Sequence, residues 1–269
     1  MIKKTVNGVT ILEFELFTKM DWLKHCFSTR IGGVSEGQFS SMNFRVKGDS
    51  VENVRENYRR ICEAGGFSFD TLTLSAQEHG TNIKAIIEDD IGKGFHKTRD
   101  YDNIDGLMTD VKGVTLSTFH ADCAAVFLTD PKNRAISLVH AGWRGTVDKI
   151  AKAAIDEMQK VYGTKPEDII AGVGASICKS CFEVDTPVYE LFHEFAEYRR
   201  ASEQKEGKYF IDLKRVNQKI LLSCGVLEEN IEISCLCTKC DDELFYSHRR
   251  DGDNRGSMAA FMEIMETTL

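Results

Sequence analysis

Along this chain, short apolar runs alternate with segments whose apolar residues recur every three or four positions. The helical spacing is clearest over Thr146–Val161, where Val147, Ile150, Ala151, Ala154, Ile155 and Met158 form one stripe and Gly163 follows. Val51–Ala64 repeats it with Val54, Tyr58 and Ile61; Ser50 is placed to cap the start and Gly65 the end. Thr186-Pro187 predicts a third helix start, followed by Val188, Leu191, Phe192 and Phe195. Asp212 predicts a fourth, carrying Leu213, Val216, Ile220 and Gly225. Strand character is found at Val9–Phe14, Leu72–Ala76, Ile83–Ile87, Gly113–Thr118, Ala124–Thr129, Arg134–Val139, Ile169–Val173, Ile231–Cys235 and Leu244–Ser247. This mixture predicts an α/β fold with mixed sheets rather than one purely parallel sheet. There is no internal repeat.

One predicted hairpin brings chemistry with it. Asp130-Pro131-Lys132-Asn133 has turn composition between two apolar runs. A turn centred on Pro131 and Lys132 pairs Asp130 with Asn133, and counting outward sets Cys123 opposite His140. Opposed residues share a sheet face with Cβ atoms roughly 4.5–5.5 Å apart. That spacing suits two ligands of one metal ion, or a thiol and its base. A slip of a single residue would put them on opposite faces.

Composition narrows the setting. The 269 residues are 42% apolar, enough for one large domain or two small ones. A net charge of −8 argues against nucleic acid as a partner. No apolar run approaches the ~20 residues of a membrane span, and the N-terminus lacks the apolar core and cleavage site of a signal peptide. The expected location is therefore cytoplasmic. The nine cysteines then read as thiols or metal ligands rather than disulfides.

For Cys123 and His140, the best third partner is His79 in Gln77-Glu78-His79-Gly80, just past a strand-like run. Two histidines and a cysteine give zinc three protein ligands and leave a position open for water, the pattern of a catalytic site. The alternative is a buried, apolar Cys123 and a satisfied loop histidine. Ala141–Thr146 joins the His140 strand to a helix through glycines, so free N–H groups there, with Arg144 as a clamp, would suit an anion. Arg144 could equally make a structural ion pair. Cys178-x-x-Cys181 and Cys237-x-x-Cys240 have the internal spacing of zinc or redox pairs but are far apart, with Cys235 adjacent; free thiols are the default. Ser28–Ser35 is a polar glycine-rich loop with Arg30, and lacks the end of a phosphate-binding Walker loop.

Several blocks, in order, resemble one bacterial family: Ser28–Phe44, Gln77–Gly80, Asp105–Cys123, His140–Gly145, and Ser247–Gly252 with Arg255–Met258. It is the family long labelled multicopper polyphenol oxidase or laccase-domain proteins, and now described as purine nucleoside phosphorylases with adenosine deaminase activity. Asp212–Val226 is a weaker match. The resemblance implies one domain over residues 1–269, a four-layer α/β/β/α sandwich, and zinc held by His79, Cys123 and His140, with copper as the other metal to consider. It implies phosphorolysis of adenosine, inosine and methylthioadenosine, and deamination of adenosine. The implied partners are purine nucleosides and phosphate, with neither nucleic acid nor membrane, in a monomer or small homo-oligomer.

The chain departs from the family pattern in two places. His120-Ala121-Asp122-Cys123-Ala124-Ala125 stands where the family has Thr-Ala-Asp-Cys-Leu-Pro, and Gly174–Cys181 lacks both family prolines. Arg30, Arg144 and Arg250 are candidate anion contacts by charge and position, and Asn43 a candidate nucleoside contact. Glu78 and Asp122 flank ligands, but strand neighbours point to opposite faces, so no general acid or base is assigned. Cys178, Cys181, Cys237 and Cys240 are expected to be dispensable for catalysis. The rival functions are a copper polyphenol oxidase, for which seven histidines are too few to build several copper centres, and a non-catalytic cysteine-rich metal or redox protein.

Overall fold

A computed structural model describes residues 1–201 and 208–265. Two six-stranded sheets face each other. The first runs β1 (Ile2–Val6), β2 (Val9–Glu13), β3 (Leu23–Ser28), β15 (Met258–Ile264), β7 (Thr115–His120), β4 (Thr73–Leu74). The second runs β14 (Ile231–Ile233), β10 (Ile170–Val173), β8 (Ala124–Asp130), β9 (Ala135–Ala141), β6 (Gly106–Thr109), β5 (Ile83–Ala85). A small third sheet joins β11 (Glu183–Val184), β13 (Tyr209–Ile211) and β12 (Arg199–Ala201). Parallel pairs (β4 with β7, β5 with β6, β10 with β14) stand among antiparallel ones, so the sheets are mixed. The helices are α1 (Val51–Gly65), α2 (Trp143–Val147), α3 (Ile150–Tyr162), α4 (Thr186–Leu191), α5 (Leu213–Ser223) and α6 (His248–Asp251).

Three apolar clusters set the layering. Val54, Tyr58 and Ile61 of α1 pack on Ile11, Cys26 and Phe261 of the first sheet. Leu12, Phe27, Leu116 and Met262 of that sheet meet Ala125, Phe127, Ile136 and Leu138 of the second. The other face of the second sheet, with Val126, Leu128 and Val139, takes Ile155 and Met158 of α3 and Val216 and Ile220 of α5. The order is helix, sheet, sheet, helix. Burying each such side chain is worth about 1.5–3 kcal/mol. Strands β8 and β9 lie in the middle, and all seven residues of each are buried. That is why they read as continuous apolar runs rather than alternating ones.

Several local expectations shift. The hairpin turn is longer than a two-residue turn: Asp130 pairs with Ala135, and Arg134 takes a positive φ of 51°. His140 therefore pairs with Ala125, and Cys123 lies just before the strand. The displacement is an even number of residues, so Cys123 keeps the face of His140. The helix expected over 146–161 begins earlier, at Trp143, and breaks at Lys149, which has a φ of 61°. Ser50 and Asp212 cap α1 and α5 by accepting from Asn53 N and Arg215 N. Asp185, rather than Thr186, caps α4. Leu244–Ser247 is not a strand: the amides of Leu244 and Phe245 both donate to the Asp241 carbonyl, and Ser247 caps α6.

Candidate active site

One buried carboxylate organises two of the three expected metal ligands. Asp105 is fully buried and accepts from the backbone N–H groups of Glu78, His79 and Gly80 at 3.0, 3.0 and 2.9 Å. These bonds hold His79 in the left-handed region, at a φ of 65°. Asp105 Oδ1 also accepts from His140 Nδ1 at 2.7 Å. The Nδ1 proton is thereby fixed, so that in the neutral ring Nε2 carries the lone pair. Burial would raise the Asp105 carboxyl, but His140 and the loop amides hold it below the usual carboxylate range.

Cys123 follows Asp122, which also has a positive φ, of 79°. Asp122 is occupied structurally, so it is no acid or base for the site: its carboxylate accepts from Thr238 Oγ1 at 2.6 Å, Ser247 Oγ at 3.0 Å and Arg249 N at 2.6 Å. The donor atoms of His79, Cys123 and His140 all lie within 4.8 Å of one another. Burial alone would raise the Cys123 thiol, but His140 and His79 outweigh it and bring it down to about 6. Burial would lower His140, but Cys123 and Asp105 raise it to about 9. The pair is thus a thiolate facing an imidazolium when no metal intervenes. Gly142 leaves room for the cluster: a Cβ there would stand 2.8 Å from His79 Cδ2 and 3.3 Å from Cys123 Sγ. A sulfur and two imidazole nitrogens at this spacing, with a carboxylate behind one ring, form a donor set that fits zinc.

The trio lines a cavity of about 1470 Å³. Trp143 and Arg144 line it too, with the guanidinium 4.3 Å over its neighbour's ring and no ion-pair partner among the described residues. His120 is buried on the same wall, its Nδ1 donating to the Cys123 carbonyl at 3.3 Å and its Nε2 2.8 Å from Thr118 Oγ1. Burial, then the charge of His140, keeps it neutral.

The remaining sequence candidates lie outside this lining. Arg30 donates to the carbonyls of Ser40 and Asp242 and stacks on Tyr246. Arg250 is spent on the carbonyls of Thr238, Lys239 and Phe245 and on Asp251. Asn43 is fully buried and ties Arg45, Asp49 and Ser257 together. Their charge and polarity serve loop structure here.

Two residues of the site were not singled out from sequence. Asp105 opens the block Asp105–Cys123, and its signal was an acidic residue directly before a buried strand. Arg255 lines the cavity with a buried Nε that has no hydrogen-bond partner. Its Nη1 donates to the Gly256 carbonyl at 3.0 Å and to Ser257 Oγ at 2.9 Å.

Comparison with known proteins agrees with this architecture. A purine nucleoside phosphorylase, YlmD, from Bacillus subtilis is 32% identical over 247 residues, covering 89% of this chain and 88% of that protein. The adenosine deaminase RL5, from an unknown prokaryotic organism, is 30% identical over 88% of this chain and 95% of its own length. The crystal structure of YlmD from Geobacillus stearothermophilus superposes with a TM-score of 0.88 at 32% identity, covering 98% of each chain. Residues 24–265 match the family described as multi-copper polyphenol oxidoreductase laccase, and the chain belongs to that family.

Proposed function

We propose that this protein is a purine nucleoside phosphorylase that also deaminates adenosine, with one zinc ion held by His79, Cys123 and His140. The observation that carries the reading is the convergence of these three donors on a cavity whose lining includes the guanidinium groups of Arg144 and Arg255. In phosphorolysis a phosphate oxygen forms the bond to ribose C1′ as the bond to the purine breaks, giving base and ribose 1-phosphate. In deamination water adds at C6 of adenine and ammonia leaves. When bound, zinc supplies a Lewis acid that makes water a better nucleophile near neutral pH.

The chain's own residues set the stage for both. Asp105 keeps the proton on His140 Nδ1 and fixes the ring. His140 and His79 keep the Cys123 sulfur anionic. Arg144 and Arg255 offer charge-assisted hydrogen bonds to phosphate. Trp143, Phe119 and Phe182 supply apolar wall against which a purine can pack. Nine free cysteines suit a reducing compartment such as the cytoplasm. Among the described residues no helix is long and apolar enough to cross a membrane.

The family's oxidase label fits the donor set less well. Among the described residues only two clusters could hold a metal, and the second is composed of thiols alone. Ligands for the several histidine-rich copper centres of a laccase are not assembled.

Purified protein incubated with adenosine, with and without phosphate, and resolved by product chromatography tests the reading. Adenine should appear only with phosphate, and inosine without it. Oxygen uptake with a phenol, and no nucleoside product in either condition, would overturn it.

A further inference from the structure

Strands β10 and β14 are parallel neighbours, Ala171 beside Ile231 and Val173 beside Ile233. Their continuations stay together: Ser234 N donates to the Val173 carbonyl at 2.9 Å, and Ser176 bridges Cys237. The two Cys-x-x-Cys loops therefore leave the same end of the sheet side by side. The sequence distance that argued against a shared site is closed by strand pairing.

The sulfur atoms of Cys178, Cys181, Cys237 and Cys240 all lie within 4.8 Å of one another. Four thiolates around a tetrahedral zinc, at Zn–S of about 2.3 Å, stand roughly 3.8 Å apart. Cys181 and Cys240 are 3.4 Å apart, well beyond the ~2.05 Å of a disulfide.

Backbone amides and a buried cation lie beside the cluster. Backbone N–H groups of Cys178, Lys239 and Cys240 point at Cys237 Sγ, the first at 3.2 Å. Amide hydrogen bonds of this kind favour an anionic sulfur. Lys214 is buried within electrostatic reach of Cys178, Cys235 and Cys237, its ammonium donating to the Leu236 carbonyl at 2.7 Å. A buried cation there offsets the net negative charge of a tetrathiolate centre.

We propose that Cys178, Cys181, Cys237 and Cys240 form a second, closed zinc site with a structural role. It cross-links two loops that frame the active cavity. Ile177, Phe182 and Glu183, around the first pair, line that cavity. Thr238, next to Cys237, holds the Asp122 carboxylate beside Cys123. The site stabilises the wall on which Cys123 sits and takes no part in the chemistry.

Metal analysis of protein purified under reducing conditions tests this. The wild type should carry about two zinc ions per chain, and Cys123→Ala about one. Cobalt exchanged into Cys123→Ala should show thiolate-to-metal charge-transfer absorption. Cys240→Ser removes an exposed ligand with little risk to packing. It should lose one zinc equivalent and lower the thermal midpoint by roughly 5 °C or more, since metal binding contributes to folding. One zinc or fewer in the wild type with none in Cys123→Ala would overturn the proposal. So would a Cys181–Cys240 disulfide seen by non-reducing mass spectrometry of the freshly purified protein.

Discussion

The two proposed metal-ligand clusters are built in opposite ways. His79, Cys123 and His140 come from a strained loop, a turn and a central strand, and they share a cavity with Arg144 and Arg255. Cys178, Cys181, Cys237 and Cys240 come from two loops of identical spacing whose sulfur atoms converge on one another. The first offers three ligands and space beside them; the second offers four and is complete. An open donor set does chemistry, and a closed one holds structure. The supports differ accordingly. A carboxylate, Asp105, aims the ligands of the first, whereas backbone amides settle the sulfurs of the second.

The sharpest way to break this contrast is Asp105→Ala. It leaves three part-buried loop amides and the buried His140 Nδ1 without their acceptor, and a buried unsatisfied donor costs about 1–3 kcal/mol. Zinc should be lost from the open site, and thermal melting should show a drop of roughly 10 °C or more. A normal melt with full zinc would show that the carboxylate is not the organiser.

Gly142→Ala is next. Its methyl group would intrude on His79 and Cys123 while leaving the four-thiol cluster untouched. Zinc affinity at the open site should fall about ten- to hundredfold, comparable to loss of a supporting contact. The second zinc equivalent should persist, as competition with a chromogenic chelator would register.

Arg144→Ala should act on substrate rather than on metal. Loss of one charged hydrogen bond, roughly 1.5–3 kcal/mol, should raise the phosphate KM about ten- to hundredfold with zinc and folding unchanged. If phosphate use is unaffected, Arg255 becomes the principal anion contact.

The smallest effect is a labelling rate. In metal-free protein, thiolate is present above the folded pKa, so alkylation of Cys123 should rise with a midpoint near pH 6. Cys240 is raised by hydrogen bonds with Cys181 and Cys237 and should label only in strongly alkaline solution. The linkage signs are opposite within the Cys123–His140 pair. The depressed thiol contributes stability that is lost as pH falls through about 6, and the raised imidazole contributes stability that is lost as pH rises through about 9. The metal-free protein should therefore be most stable between these values.

How much of this was legible in the sequence depended on whether a residue's partners were local. Strands β8 and β9 announced themselves because both of their faces are buried. The Cys123–His140 relation survived a wrong turn length because the shift was even. By contrast β15, Met-Ala-Ala-Phe-Met-Glu-Ile, has helix-favouring residues and a charge, yet it forms a fully buried strand. Its Glu263 is satisfied by Lys24 at 2.9 Å and by Thr115 Oγ1 and Ser68 N, partners that lie far away in sequence. Strand β3 was hidden likewise by His25, which burial pushes down to about 3 and which accepts from Phe14 N at 2.7 Å. Arg30, Asn43 and Arg250 looked like ligand contacts because charge and polarity are visible in sequence, whereas the carbonyls that occupy them are not.

The most direct test of the division between the two clusters is adenosine phosphorolysis in Cys123→Ala measured beside Cys240→Ser, each at a temperature where it is folded. The expected result is that Cys123→Ala loses at least about a thousandfold in kcat/KM, on the order of 4 kcal/mol of transition-state stabilisation. Cys240→Ser should keep activity within about tenfold. Wild-type turnover in folded, zinc-depleted Cys123→Ala would contradict the assignment of the chemistry to His79, Cys123 and His140.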